Sequence, residues 1–131
     1  MDNRQHINQC NYNESVINWC RSNNFPFNDW IIIVTFYTAL HKLDFWLHSN
    51  TGLIDREITE YFNPRGKKFT GHGARNKNII NEFGTVAPYY IDLYRECRRV
   101  RYKQFSLNKI TSADLNKYIN IWFNVIKNFT P

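Results

Sequence analysis

Apolar residues recur at three- and four-residue spacing along most of this chain, and no run makes a good strand. The pattern is strongest from Trp30 to about Ser49. There Ile33, Phe36, Tyr37, Leu40, Leu43 and Leu47 share a face, and the first half of the stretch is apolar almost all round. That is the mark of a central helix covered on several sides. Asn28 or Asp29 can cap its start, and Gly52 in SNTG supplies its stop. Upstream, Val16, Ile17 and Cys20 predict a short helix within ESVINWCRSNN, broken by FPFND, and residues 1–12 read as a polar arm.

The stretch 51–70, TGLIDREITEYFNPRGKKFT, is the least regular; DREITEYF suggests two helical turns and NPRGKK a loop. A further helix is expected from near Gly71 to the FG at 83–84, and the next from Val86 or Ala87 to about Gln104. After SLNKIT, Thr111 and Asp114 have capping-box spacing. They open a last helix carrying Leu115, Tyr118, Ile119, Trp122, Val125 and Ile126. No repeat, low-complexity tract or second domain interrupts this order. The expected fold is all-α: a four- or five-helix antiparallel up-and-down bundle forming one domain over residues 1–131.

Composition narrows the function. With 43% hydrophobic residues the chain can bury a core, and 5 Gly with 4 Pro argue against a many-turned β fold. Seventeen Lys and Arg against 11 Asp and Glu give +6, which favours an anionic partner, nucleic acid before a membrane surface. Cys10, Cys20 and Cys97 form neither a disulfide framework nor a CxxC zinc site, and Cys97 reads as a buried free thiol. WIIIVTFYTAL is too short to span a bilayer, and MDNRQHINQCNYNE has no apolar signal region, so a cytoplasmic location without membrane contact is expected. Nucleophile-elbow, phosphate-loop and dinucleotide patterns are missing from the sequence.

The polar residues fall on definable faces. Tyr37, His41, Asp44 and His48 make one stripe of the central helix, at the border of its apolar face. Tyr90, Tyr94, Cys97 and Arg101 make another, so Arg101 is expected to turn inward and meet either Asp44 or an RNA phosphate. Arg95, Arg98, Arg99 and Tyr102 lie on a different face, readable as a solvated surface or as a phosphate-tracking stripe on which Tyr102 stacks a base. His72, Arg75 and Asn76 open the helix after Gly71, where free backbone N–H groups favour anions. Their alternative roles are a cap and a surface turn.

Three stretches together, DWIIIVTFYTALHKLDFWL, GHGARNKNII and YYIDLYRECRRVRYKQF, followed by an amphipathic helix, resemble small single-domain members of the HEPN superfamily over roughly residues 28–128. The resemblance implies a helical bundle, often a homodimer, acting on RNA in prokaryotic defence or toxin–antitoxin systems, or accompanying a nucleotidyltransferase. It implies no cofactor and no metal. Catalytic members pair an Arg with a His four to six residues later, to position the 2′-hydroxyl and stabilise the scissile phosphate. Here no histidine follows Arg75–Asn76 or Arg101–Tyr102, and His72 is the last in the chain. Arg65 to His72 is the remaining pair, with Gly66 where a polar residue is expected.

The expected function is therefore an RNA-acting protein, either a metal-independent endoribonuclease or an RNA binder with a degenerate motif. The candidate catalytic set is His72, Arg75, Asn76, His41 and Arg101, supported by Tyr37 and Asp44, with Arg95, Arg98, Arg99 and Tyr102 as the RNA-binding residues. The alternative is a non-catalytic module for a nucleotidyltransferase, antitoxin or other defence partner. A third reading takes His41, Asp44 and His48 as a metal site, which Lys42 disfavours. The four tryptophans are expected in the core. Surplus apolar surface on the central helix suggests a homodimer through Trp30, Val34 and Tyr37.

Overall fold

The computed structural model describes residues 2–52, 71–103 and 110–131, the side chains of 71–74, 102 and 103 excepted. Among the described residues five helical runs form an all-α bundle: α1 (Asn3–Ser22), α2 (Asn28–Thr51), α3 (Gly71–Glu82), α4 (Ala87–Arg98) and α5. Helix α4 continues into a π turn, Arg99–Lys103. Helix α5 comprises Ser112–Lys117, a π turn Tyr118–Phe123 and a closing α turn Asn124–Lys127. The irregular stretch expected over 51–70 lies, from residue 53, outside the described residues.

Helix α2 is the axis of the bundle. Ile31, Ile32, Phe36, Ala39, Leu40, Leu43 and Leu47 are buried, and so are Thr35 and Thr38, because the other helices wrap it on several sides. The two threonine hydroxyls are satisfied within the helix, donating to the carbonyls of Ile31 and Val34. Removal of each large aliphatic or aromatic side chain from water stabilises the bundle by about 1.5–3 kcal/mol. Gly52 ends α2 at φ 70, the left-handed conformation expected of it, and its N–H donates to the His48 carbonyl. The start of α2 differs from expectation: Phe27 stands at the cap, and Asn28 instead donates its amide to the Ile110 carbonyl, joining α2 to the segment before α5.

The largest correction concerns residues 1–12. They are not an arm; α1 begins at Asn3 and runs 20 residues. Asp2 accepts from the Gln5 N–H, and the Gln5 side chain accepts from the Asp2 N–H, closing a capping box. Four residues separate His6 from Cys10, three Cys10 from Asn13, four Asn13 from Ile17 and three Ile17 from Cys20, and all five face inward. A helical stripe was present in the sequence, written partly in polar residues. Helix α1 lies antiparallel to α2, with Asn3 bonded to Ser49 at one end and Cys20 beside Ile31 at the other.

Helix α5 packs antiparallel on α1, through Arg21 to Asn116 and Asn120 and through Glu14 to Lys127. Thr111 caps it as expected, accepting from the Asp114 N–H. Its π turn shifts the inward set: Phe123 is buried, whereas Trp122 is half-buried, stacked on Tyr118 beneath Lys117. None of the tryptophans is in the core. Trp19 and Trp30 are more than 60% exposed, and Trp46 and Trp122 are half-buried.

Candidate functional site

Asp44 projects from the polar stripe of α2 and is 2% exposed. A carboxylate there needs a cation, and α3 provides one: Arg75 Nε donates to Asp44 Oδ1 at 2.9 Å. Arg75 is thus brought to the α2 stripe, as the candidate set required, but its charge is compensated within the protein. Tyr90 of α4 is fully buried within the field of both groups. Burial raises its hydroxyl pKa far above the usual phenol range, with Arg75 opposing the rise. The Tyr90 hydroxyl, and both polar side-chain atoms of the fully buried Asn78, find no hydrogen-bond partner among the described residues. Asn76 is half-buried beside them in sequence, and His72 lies in the first turn of α3 with its side chain outside the described residues.

The inward course expected of Arg101 is not observed. Its side chain is exposed, although it stays on the Cys97 side of the helix, hydrogen-bonded to that thiol. Asp44 is taken by Arg75. Arg101 instead donates from Nη1 to the Tyr37 hydroxyl at 2.6 Å, its guanidinium 5.8 Å from the centre of that ring. Arg98 donates to the Tyr94 hydroxyl at 3.0 Å. Tyr37 and Tyr94 both pack against Phe36, so the two arginines occupy one surface where α2 meets α4, with Arg95 also exposed on α4. Arg99 leaves this face: it pairs with Glu96 at 2.7 Å, and Glu96 in turn reaches Tyr118 of α5. Tyr102 belongs to the π turn, with its side chain outside the described residues.

Cys97 closes the back of this surface as the buried free thiol expected. Burial raises its pKa to about 11, opposed by the charge of Arg101 and a hydrogen bond from it. An un-ionised, enclosed thiol is not a nucleophile.

His41 reaches across to α1. Its Nδ1 lies 2.9 Å from Nδ1 of His6, and the His6 ring centre is 4.8 Å from that of His48. Three of the four histidines therefore gather at the α1–α2 contact. The proposed metal set fails with them. Among the described residues no group of three or more His, Cys, Asp or Glu is arranged to hold a metal ion. His6 was not in the candidate set; the Asp2–Gln5 cap and the spacing from His6 to Cys20 are the signals that would have placed it on an inward face. The surface grooves lie elsewhere, the one between α1 and α5 being lined by Glu14, Arg21, Asn120 and Lys127 among others.

Compared with family models, curated proteins and solved structures, the chain matches none of them. No helix among the described residues is long and apolar enough to cross a membrane.

Proposed function

We propose that this protein is a HEPN-like, cytoplasmic RNA-binding protein of a prokaryotic defence or toxin–antitoxin system, using the α2–α4 surface to hold the RNA backbone. The observation that carries this reading is the pair of exposed guanidinium groups, Arg98 and Arg101, each oriented by a tyrosine hydroxyl on a surface anchored by Phe36. A tyrosine hydroxyl can accept from arginine without neutralising it, and Arg95, exposed on the same helix, extends the run of cationic side chains that phosphate would meet. Binding is favoured over cleavage because Arg75 is committed to Asp44, and because Arg75 and Arg101 both lack the downstream histidine of the catalytic motif.

The test is binding of structured and single-stranded RNA over a salt series. Arg98→Ala with Arg101→Ala is expected to weaken binding and lower the salt slope by about 1 to 2. Equal affinity and slope in the double variant would reject the surface. RNA cleavage that persists in EDTA and vanishes in His72→Ala would instead establish a metal-independent ribonuclease.

The second reading, a non-catalytic module docking on a second copy or on a nucleotidyltransferase or antitoxin partner, draws support from Trp30. It is 63% exposed next to exposed Phe27, with Val34 one turn further along α2. Failure to bind RNA together with self-association lost in Trp30→Ala would favour it.

A further inference from the structure

The outward face of α1 is as regular as its inward one. With His6, Cys10, Asn13, Ile17 and Cys20 turned inward, the helical period places Arg4, Asn8, Asn11, Ser15, Asn18 and Ser22 on the opposite side, and all six are exposed. Along one flank of that row stand Gln5, Tyr12 and Trp19, seven residues apart and therefore in line. Tyr12 is 67% exposed and Trp19 61%. Two helical turns, about 10.5 Å, separate the two aromatic positions.

The charges of this face are one-sided. Arg4 lies in the row. Arg21 stands near its far end, on the side toward α5, where its two Nη groups donate to the side-chain carbonyls of Asn120 and Asn116. A carboxamide oxygen is neutral, so it orients the guanidinium without cancelling its charge. Glu14, the one acid within α1, is turned to α5 and paired with Lys127. From Arg4 to Ser22 the exposed residues therefore include no carboxylate.

Such a face suits an unpaired polynucleotide strand better than a protein. Protein interfaces concentrate apolar side chains at their centre. Here the central row is amide and hydroxyl, and the aromatic rings stand at its flank. Every base has a face that can stack on indole or phenol, and a splayed base has an edge that donates and accepts, as a carboxamide does. An acid-free surface with an arginine near each end does not repel the phosphates.

We propose that the outward face of α1 is a second RNA-contacting surface, on which Tyr12 and Trp19 stack unpaired bases while Asn8, Asn11 and Asn18 meet base edges. This rests on the reading of the chain as an RNA binder, and it adds to the α2–α4 surface a site that selects single strands, since a paired base is not available for stacking on a side chain.

The full chain is titrated with oligouridine carrying 4-thiouridine, single-stranded or annealed to oligoadenosine. The complexes are photo-crosslinked, digested with trypsin and mapped by mass spectrometry. Crosslinks are expected in the peptide 5–21, at or beside Tyr12 and Trp19. Tyr12→Ala and Trp19→Ala are each expected to weaken single-strand binding by about five- to a hundredfold, with the salt slope unchanged and the duplex bound as before. Trp19→Phe, which keeps an aromatic face, should retain most of the affinity. Crosslinks confined to α4, or unchanged single-strand affinity in the Tyr12→Ala/Trp19→Ala double variant, would overturn this inference and leave the α2–α4 surface standing. Loss of affinity in that variant, with none in Arg98→Ala/Arg101→Ala, would support α1 and reject the α2–α4 surface. A chain that retains no RNA at all would reject both. A dimer in sedimentation that Trp19→Ala dissociates would assign the face to a second copy and overturn the inference.

Discussion

A carboxylate as enclosed as Asp44 is tolerable only with its cation in place, which makes Asp44 and Arg75 a test of the bundle as much as of the site. Asp44→Ala is expected to cost about 3–5 kcal/mol in urea unfolding, because it leaves the guanidinium without its counter-charge. Asp44→Leu combined with Arg75→Met should recover most of that loss, since a buried pair often contributes little beyond an apolar substitute. The thiols make a second prediction at this scale. Burial above all raises Cys10 and Cys97 from 9.0 to about 11. Folded values above the unfolded ones mean that their contribution is complete below pH 9 and is lost as pH rises to about 11. Denaturation midpoints measured across that window should fall, and should fall less in Cys10→Ala/Cys97→Ala.

At the scale of elements, the ends of the helices matter more than their interiors. Gly52 holds φ 70 in open space, so Gly52→Ala meets no obstacle but strains the backbone, with an expected cost of about 1 kcal/mol in thermal unfolding. Thr111→Ala should cost about the same by leaving the Asp114 N–H without its cap. The π turns act differently. Each widens the helix locally, and within them Arg101 is exposed and Phe123 buried. In the second turn the expected Tyr118 and Ile119 are buried, whereas Phe123 takes the inward place expected of Trp122. The helices over 28–51, 71–82 and 112–127 carry clear stripes and stop signals and were legible; the first half of α1 was not, because its inward face is polar.

At the scale of the molecule, the core around α2 is closed by side chains from α1, α4 and α5, while indoles remain outside. Trp19 and Trp30 are open to solvent, so acrylamide should quench much of the emission. A second copy covering Trp30 would shift that emission to the blue with concentration, an effect expected to disappear in Trp30→Ala. The candidate site was legible in part. Asp44, Arg75, Tyr37 and Arg101 all take part in side-chain contacts between helices, yet in pairings other than those expected, with Arg75 on Asp44 and Arg101 on Tyr37.

Helical class, the centrality of α2, the left-handed stop at Gly52 and the cap at Thr111 all follow from the sequence itself, because periodicity and backbone stereochemistry act within a few residues. Which cation meets Asp44, which arginines face solvent, and that His6 joins His41 and His48 were settled only by the tertiary structure. Those contacts join residues 31 to 64 positions apart, and the crossing of whole helices, shifted locally by π turns, selects among partners of equal chemical merit.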